Sequence, residues 1–183
     1  QSISDCSPTL SLGGNRSQVM LSSEVIFVSQ GVDQNAQFLS AARKNGIEIS
    51  SMSKLFLQTC PVGITAITGS SGKTTTTSLL DSILTKSKIN HLMGGNIGIG
   101  LLSLLDDITS DSKVLIELSH TQLETIDISP QLSCVTNVTP NHLDRFSWNS
   151  YVDLKRRIFE FQNKEDTVIF NFDNKMCREF SNE

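Results

Sequence analysis

The segment that most constrains the fold of this chain is residues 64–77, which read ITAITGSSGKTTTT. A short apolar run leads into a turn with two glycines, Gly69 and Gly72, and the turn leads into a helix-compatible stretch. That stretch carries four apolar side chains: Leu79, Leu80, Ile83 and Leu84. Glycines let the backbone curl so that its N–H groups point at phosphate oxygens, and the start of a helix adds positive charge. The segment therefore predicts a strand, a phosphate-binding loop and a helix.

Two side chains of this loop fit a nucleotide and its metal ion. Lys73 can reach the β- and γ-phosphates, and the hydroxyl of Thr74 can bind Mg²⁺. The common nucleotide loop has a glycine five residues before the position of Gly72, where this chain has Ile67, so the turn is tighter here. An ordinary strand-to-helix turn with a chance Gly-Lys-Thr sequence is the alternative. The coincidence of strand, glycines, lysine, hydroxyls and helix favours the nucleotide.

The composition excludes several classes of function. Of the 183 residues, 38% are hydrophobic and 19% charged, which is enough to bury a core in one large domain or in one and a half small ones. The net charge of −4 offers no basic field for nucleic acid or an anionic membrane. No apolar run approaches the ~20 residues of a membrane-spanning helix. Four scattered cysteines without a C-x-x-C pair indicate reduced thiols in the cytoplasm: Cys6, Cys60, Cys134 and Cys177.

Both ends of the chain suggest a piece of a longer protein. The sequence opens at Gln1 without a methionine, and residues 1–12 lack the basic start and apolar centre of a signal peptide. Residues 1–23 are polar, with a turn predicted at Gly13-Gly14-Asn15. Because the chain stops at Glu183 with no sign of completion, we expect further segments on both sides.

Apolar runs alternate with helix-compatible segments along the chain. The runs predict strands at residues 24–29, 47–49, 64–67, 90–93, 113–118, 132–138 and 167–172. Helices are predicted after the glycine loop and at residues 35–45, 53–58, 99–105 and 150–162. This alternation is typical of an α/β fold with a mostly parallel sheet flanked by helices. Pro61 suggests a boundary near residues 59–61 between a small α/β portion and a larger domain.

In such a sheet, ligands bind beyond the carboxyl ends of the strands, and three polar residues are predicted there. Glu117 ends a strand and could hold Mg²⁺, which prefers oxygen ligands, although it could also be a solvated glutamate. His142 follows another strand and is either a ligand or substrate contact or a polar surface residue. Asn96 lies in a glycine turn at residues 94–98, where it either orients a polar substrate or tolerates a left-handed backbone.

Lys155 occupies an unusual place in the predicted helix 150–162. At ~100° per residue it falls inside the broad apolar side that includes Leu154 and Ile158. A lysine on such a side either extends its ammonium to water or finds a partner. A third possibility is modification, because CO₂ adds to a neutral amine and gives an anionic carbamate that can bind metal. The residues themselves favour the extended lysine.

Four stretches in series resemble the Mur ligases of peptidoglycan synthesis. They are TGSSGKTTT at 68–76, GGNIG at 94–98, ELSHTQLE at 117–124 and NVTPNHLDR at 137–145, the last followed by Tyr151, Lys155 and the sequence IFE at 158–160. Their order and spacing match over residues 24–174. Within that family, the ELSHTQLE stretch favours the ligase that adds D-glutamate to UDP-N-acetylmuramoyl-L-alanine. The chain departs from the family at Ser71, where asparagine is common, and at His120-Thr121, where serine and phenylalanine are common.

The resemblance implies a fold and a set of residue roles. Residues 1–60 would be the C-terminal part of a Rossmann-like N-terminal domain, and residues 61–183 an incomplete P-loop central domain, with the C-terminal domain absent. The loop residues implied to bind ATP are Gly69, Ser70, Ser71, Gly72, Lys73, Thr74 and Thr75. Two Mg²⁺ ions would be held by Thr74, Glu117, His142 and a carbamoylated Lys155. The substrate would be bound by Asn96, Ser119, Gln122 and His142, and the implied catalytic residues are Lys73, Glu117, His142 and Lys155.

The resemblance also implies a reaction without a side-chain nucleophile. The terminal carboxylate of UDP-N-acetylmuramoyl-L-alanine would attack the γ-phosphate of ATP, giving an acyl phosphate and ADP, and the amine of D-glutamate would then displace phosphate. The implied protein is a cytoplasmic monomer that binds small molecules and neither nucleic acid nor membrane. The alternatives are another Mur-type ligase, a folylpolyglutamate synthase, or a nucleotide-binding fragment without catalysis. We expect the 183 residues alone to have no ligase activity.

Overall fold

The computed structural model describes residues 20–183, so Cys6 and the turn predicted at Gly13-Gly14-Asn15 lie outside the described residues. The strands are β1 Val25–Phe27, β2 Glu48–Ser50, β3 Ile64–Thr68, β4 His91–Gly95, β5 Lys113–Glu117, β6 Leu132–Val135 and β7 Thr167–Phe170. The helices are α1 Gln37–Lys44, α2 Met52–Thr59, α3 Lys73–Lys86, α4 Leu101–Leu104, α5 His120–Leu123, α6 Trp148–Glu160 and α7 Lys175–Phe180, with a 3₁₀ turn at Leu105–Asp107.

The larger sheet brings the ends of three strands together. Its five strands are all parallel, in the order β4-β5-β3-β6-β7, so the predicted α/β fold with a parallel sheet is confirmed. Strand β3 lies in the middle, where Ile67 pairs with Glu117 of β5 and Thr68 pairs with Val135 of β6. The glycine loop that follows β3 therefore starts beside the carboxyl ends of both neighbouring strands, which is where ligands bind in such sheets.

A smaller unit precedes the larger sheet. Strands β1 and β2 form a two-stranded parallel sheet. Its buried core consists of Ile26, Val28, Leu39 and Ala42. Helix α2 follows β2 in the chain, but its Phe56 and Leu57 are buried in the core of the larger sheet. The domain boundary near residues 59–61 stays a prediction.

Helix α3 leaves part of its apolar surface exposed. Of its four apolar residues, Leu79 and Ile83 are exposed, at 61% and 58%. Thr77 is the buried residue of this helix. Leu80 and Leu84 are partly buried because they lie on the same side of the helix as Thr77. The apolar residues of this segment therefore do not form one buried side.

Two short helices are absent from the sequence prediction, and four strands end earlier than predicted, including those that end at Val135 and Phe170. Each short helix begins at a side-chain cap: Ser119 accepts from the backbone of Gln122 before α5, and Asn174 accepts from Cys177 before α7. The strands predicted at 132–138 and 167–172 end at Val135 and Phe170. Among residues 20–183, no helix has both the length and the apolar character needed to cross a membrane.

Candidate nucleotide and metal site

The turn after β3 is a glycine loop held by the segment that follows β6. Gly69 has φ +152°, and a Cβ placed on it would lie 1.9 Å from Thr136 Oγ1, so a side chain there would force a neighbour to move. Thr136 Oγ1 donates to Ser71 O at 2.7 Å, and Ser71 N donates to Asn137 Oδ1 at 3.1 Å. Gly72, with φ +78°, then turns the chain into α3. These contacts fix the curled backbone that a phosphate-binding loop needs.

Glu117 is buried at the end of β5, with 0% exposure, and bonds to two other elements. Its Oε2 accepts from Thr74 Oγ1 at 2.8 Å, and its Oε1 accepts from Asn96 Nδ2 at 2.7 Å. Asn96 N also donates to Glu117 O at 2.9 Å. This approach requires glycine at position 95, where a Cβ would lie 2.4 Å from the same oxygen. Glu117 is therefore not a solvated strand end, and Asn96 is more than a turn residue.

The contact between Thr74 and Glu117 provides oxygen atoms that suit Mg²⁺. In nucleotide sites Mg²⁺ commonly takes one or two protein oxygens and completes its shell with phosphate oxygens and water. The hydroxyl and the carboxylate lie beside the glycine loop, as this arrangement requires. Among residues 20–183 there is no group of three or more His, Cys, Asp or Glu side chains that could enclose a metal. The Thr74 hydroxyl and the Glu117 carboxylate fit a magnesium ion shared with a phosphate chain.

Lys73, the first residue of α3, folds back onto the glycine loop. Its Nζ donates to Gly69 O at 3.0 Å. The ammonium is thus already held at the loop, and it can exchange this carbonyl for a phosphate oxygen without a large movement of the helix.

Lys155 is buried and does not extend to water. Its side chain is 1% exposed, and Nζ donates to Thr68 Oγ1 at 3.1 Å, while Thr68 Oγ1 donates to Leu118 O at 2.8 Å. The prediction that Lys155 extends its ammonium to water is wrong, because the helix that carries it, α6, packs against β3 and β6. Burial lowers the pKa of Lys155 to about 7, the charge of Lys73 adds to this effect, and Glu117 opposes it. Much of the amine is therefore neutral at neutral pH.

The lowered pKa of Lys155 predicts how stability changes with pH. Between about 7 in the folded chain and 10.5 in the unfolded chain, the folded state binds fewer protons. The free energy of unfolding therefore rises with pH in this window, by at most ~1.4 kcal/mol per pH unit from this group. In urea unfolding at about pH 7 and about pH 9, we expect the wild-type chain to gain stability relative to Lys155→Met. The free energy of unfolding of the exposed Lys86→Met variant should change with pH as that of the wild type does. An equal change in all three proteins would contradict the lowered pKa of the buried Lys155 amine.

The imidazole of His142 lies in a cluster of rings beside Lys155. It stacks on His120, with ring centroids 4.0 Å apart and 29° between the planes, and its centroid lies 6.2 Å from that of Tyr151. Tyr151 shares a hydrogen bond of 3.0 Å with Ser70 of the glycine loop. Lys155 Nζ lies 5.5 Å from the centre of the Tyr151 ring. His142 therefore belongs to the same end of the sheet as the loop and Lys155.

Two of the residues expected to bind substrate form a helix cap. Ser119 Oγ accepts from Gln122 N at 3.3 Å, and Gln122 Oε1 accepts from Ser119 N at 2.9 Å. Gln122 also lines a cleft between the smaller unit and the larger sheet, together with Ser29 and Ser51. The cap already uses both side chains. Substrate contacts of Ser119 and Gln122 stay a prediction.

Sequence reasoning gives no role to three groups that contact the residues of this site: Thr68, His120 and the Tyr151 hydroxyl. Tyr151 precedes Lys155 by about one helical turn, and this spacing could have indicated that both side chains face the sheet. Thr68 is the last residue before the loop, where a buried hydroxyl at a strand end is a possible partner for a buried lysine. The sequence carries no comparable signal for the stacking of His120 on His142, because the two residues are far apart in the chain.

A parallel sheet with a glycine loop between its central strand and a helix defines the P-loop class of α/β proteins. Within that class, residues 67–183 match the family model of the Mur ligase middle domain. The match covers more than half of the 183 residues, and the chain belongs to the Mur ligase family.

Individual relatives agree with this family. The chain is 43% identical over 161 residues, 87% of its length, to the UDP-N-acetylmuramoylalanine–D-glutamate ligase of Acetivibrio thermocellus. It is 42% identical over 161 residues, again 87% of its length, to the ligase of that name from Ruminiclostridium cellulolyticum. The chain spans about a third of the length of these curated relatives, 34% and 35% respectively.

A solved structure supports the same fold. The chain resembles the UDP-N-acetylmuramate:L-alanyl-gamma-D-glutamyl-meso-diaminopimelate ligase from Neisseria meningitides with a TM-score of 0.59. The match covers 87% of this chain and 55% of the other, at 15% sequence identity. At that identity the likeness shows the fold alone.

Proposed function

We propose that the chain is part of an ATP-dependent ligase that joins D-glutamate to UDP-N-acetylmuramoyl-L-alanine in the synthesis of peptidoglycan precursors. The observation that carries the proposal is the buried carboxylate of Glu117, bonded both to Thr74 of the glycine loop and to Asn96. A buried carboxylate beside a phosphate-binding loop is a strong candidate for metal and nucleotide binding. The names of the curated relatives support the choice of substrates.

ATP is assigned to the glycine loop, with its phosphates on the backbone N–H groups at the start of α3. The assigned residues are Gly69, Ser70, Ser71, Gly72, Lys73, Thr74 and Thr75. The positive end of the helix dipole favours the phosphates there. Lys73 would exchange Gly69 O for a γ-phosphate oxygen. Thr74 and Glu117 would hold one Mg²⁺, which, when bound, neutralises charge on the transferred phosphoryl group.

A second Mg²⁺ is assigned to His142 and a carbamate on Lys155. To form the carbamate, the amine nitrogen bonds to the carbon of CO₂ and loses one proton, which requires a neutral amine. The pKa of about 7 supports this step, because much of Lys155 is neutral at neutral pH. Isotopically labelled bicarbonate should give a carbamate resonance in the wild-type chain and none in Lys155→Met. A wild-type chain without that resonance would remove the carbamate from the proposal.

The side chains act by binding, orienting and stabilising charge. An oxygen of the substrate carboxylate bonds to the γ-phosphorus of ATP, the bond to the bridging oxygen breaks, and ADP leaves. Lys73 and the loop N–H groups stabilise the phosphoryl group during transfer. The amine of D-glutamate then bonds to the acyl carbon, and phosphate and a proton leave. Asn96, Ser119, Gln122 and His142 are assigned to the muramoyl substrate.

The remaining assignments follow from the same proposal. Residues 1–60 are assigned to a Rossmann-like N-terminal domain and residues 61–183 to the ATP-binding central domain. The whole protein is proposed to act on small molecules as a cytoplasmic monomer, without nucleic-acid or membrane partners. The net charge of −4 supports the exclusion of nucleic acid.

A chimera tests the proposed activity. The unmatched part of the Acetivibrio thermocellus relative would be joined to this chain at the ends of the matched span, and ADP release would be measured. We expect release that needs both UDP-N-acetylmuramoyl-L-alanine and D-glutamate. The 183-residue chain alone is the matched control, for which we expect no turnover. Turnover by the chain alone would overturn that expectation.

A nucleotide-binding fragment without catalysis is the second candidate. It rests on the glycine loop alone, whose backbone contacts suit a phosphate chain whether or not a reaction follows. Both candidates predict that the chain binds Mg-ATP. A folded chimera that binds Mg-ATP and releases no ADP would favour this second candidate.

A further inference from the structure

We infer that His120 is a positioning residue, whose ring holds the imidazole of His142 in place by stacking. The two centroids are 4.0 Å apart and the planes differ by 29°. The inference rests on the proposed function, in which His142 binds metal and substrate, and it adds a residue that has no role there.

The backbone of His142 is fixed, whereas its ring has few other contacts. The residue is exposed and lies in the loop after β6. Its φ is +53°, a conformation that non-glycine residues seldom adopt. His142 N donates to Asn141 Oδ1 at 2.9 Å, and His142 O accepts from the backbone N of Arg145 and Phe146 at 3.1 Å. Within residues 20–183, however, the imidazole nitrogens have no hydrogen-bond partner, so ring contacts set its orientation.

His120 is anchored well enough to act as the support. It is the first residue of α5, directly after the Ser119 cap, and it follows the buried Glu117 by three residues. The ring of Phe146 meets it edge-on, with centroids 5.6 Å apart and 84° between the planes. The end of β5 thus supplies both the buried carboxylate and the ring on which His142 rests.

Substitution of His120 alone tests the stacked ring, and the next residue in the chain is Thr121. The hydroxyl of Thr121 pairs with Ser119 Oγ at 3.0 Å and adds no ring. His120→Ala removes the stacked ring, while His120→Phe keeps a ring of similar shape without its nitrogens.

Proton NMR of the three histidines tests the inference in the 183-residue chain. In the wild type we expect nuclear Overhauser contacts between the rings of His120 and His142, and an upfield shift of the His142 ring protons. In His120→Ala the His142 signals should move downfield, and in His120→Phe they should return. His91 is the internal control, because it bonds Asp81 and Ile89 at the opposite end of β4 and its signals should not change.

Several outcomes of this experiment would overturn the inference. They are the absence of ring-to-ring contacts in the wild type, unchanged His142 signals in His120→Ala, and His142 signals in His120→Phe that differ from those of the wild type. If the His91 signals show that His120→Ala has lost its fold, two other results test the inference. They are the ring-to-ring contacts in the wild type and the match between the His142 signals of His120→Phe and those of the wild type.

Addition of Mn²⁺ with a non-hydrolysable ATP analogue separates this inference from the proposed function. We expect Mn²⁺ to broaden the signals of Thr74 and His142 in the wild type and in His120→Phe, and to broaden His142 less in His120→Ala. Equal broadening of His142 in all three proteins would overturn the positioning role alone and leave the proposed function intact. Broadening of Thr74 with no broadening of His142 in the wild type and in His120→Phe would overturn the metal role of His142 and the positioning role with it.

Discussion

Lys73→Met is expected to weaken the binding of Mg-ATP by roughly 10- to 100-fold, the effect of losing one hydrogen bond to a charged group. The folded chain should tolerate the change, because among residues 20–183 the Lys73 side chain makes a single hydrogen bond, from Nζ to Gly69 O at 3.0 Å. The charge that meets the γ-phosphate would be lost while the backbone of the loop stays in place. Calorimetric titration of the 183-residue chain with Mg²⁺ and a non-hydrolysable ATP analogue measures this affinity.

The same helix offers a matched control for Lys73. Lys86 is the last residue of α3 and is exposed, so Lys86→Met removes the same charge at the end remote from the loop. We expect its affinity to equal that of the wild type, because exposed charges far from a ligand are screened by salt. If the two variants bind the nucleotide equally well, Lys73 does not contact the phosphates.

Gly69→Ala is expected to lower the free energy of unfolding by about 3 kcal/mol or more, from backbone strain and overpacking together. The φ of +152° disfavours any side chain, and a Cβ would lie 1.9 Å from Thr136 Oγ1 and 3.1 Å from Asn137 O. Because Thr136 and Asn137 hold the loop, the loop should be displaced and nucleotide binding should be lost as well. Urea unfolding and the same titration measure both effects.

Substitutions of two other glycines separate the effect of backbone strain on stability from the effect of steric conflict. Gly72 has φ +78° with no atom within 4 Å of its Cβ position, and Gly63 has neither a positive φ nor such a contact. We expect Gly72→Ala to cost about 1–2 kcal/mol from the left-handed backbone alone, and Gly63→Ala to stay within about 0.5 kcal/mol of the wild type. If Gly69→Ala and Gly63→Ala have the same free energy of unfolding, the packing of the loop against the segment after β6 is contradicted.

Features encoded by neighbouring residues were predicted well from the sequence. The strand, glycine loop and helix at residues 64–77 are set by local apolar pattern and by turn chemistry, and the alternation of elements leads to the parallel sheet. The placement of Glu117 beside the loop follows from the topology, since β3 and β5 are adjacent and parallel. These inferences need only the order of the elements.

Features that depend on packing between distant elements were not predicted. The burial of Lys155 results from α6 lying against β3 and β6, and its partner Thr68 is 87 positions away in the chain. The outward position of Leu79 and Ile83 depends on which side of α3 meets the sheet. The stacking of His120 on His142 joins a helix start to a distant loop. Local periodicity carries no information about such contacts, because it describes one element at a time.

A crystal structure of the chain with Mg²⁺ and a non-hydrolysable ATP analogue tests most directly whether Mg-ATP binds between the glycine loop, Glu117 and His142. We predict the β- and γ-phosphates on the backbone of residues 69–75, with Lys73 Nζ on the γ-phosphate. The metal should lie between Thr74 Oγ1 and the Glu117 carboxylate, which are 2.8 Å apart without it. A nucleotide bound elsewhere, or phosphates on the loop with the metal away from Glu117, would contradict the proposed site.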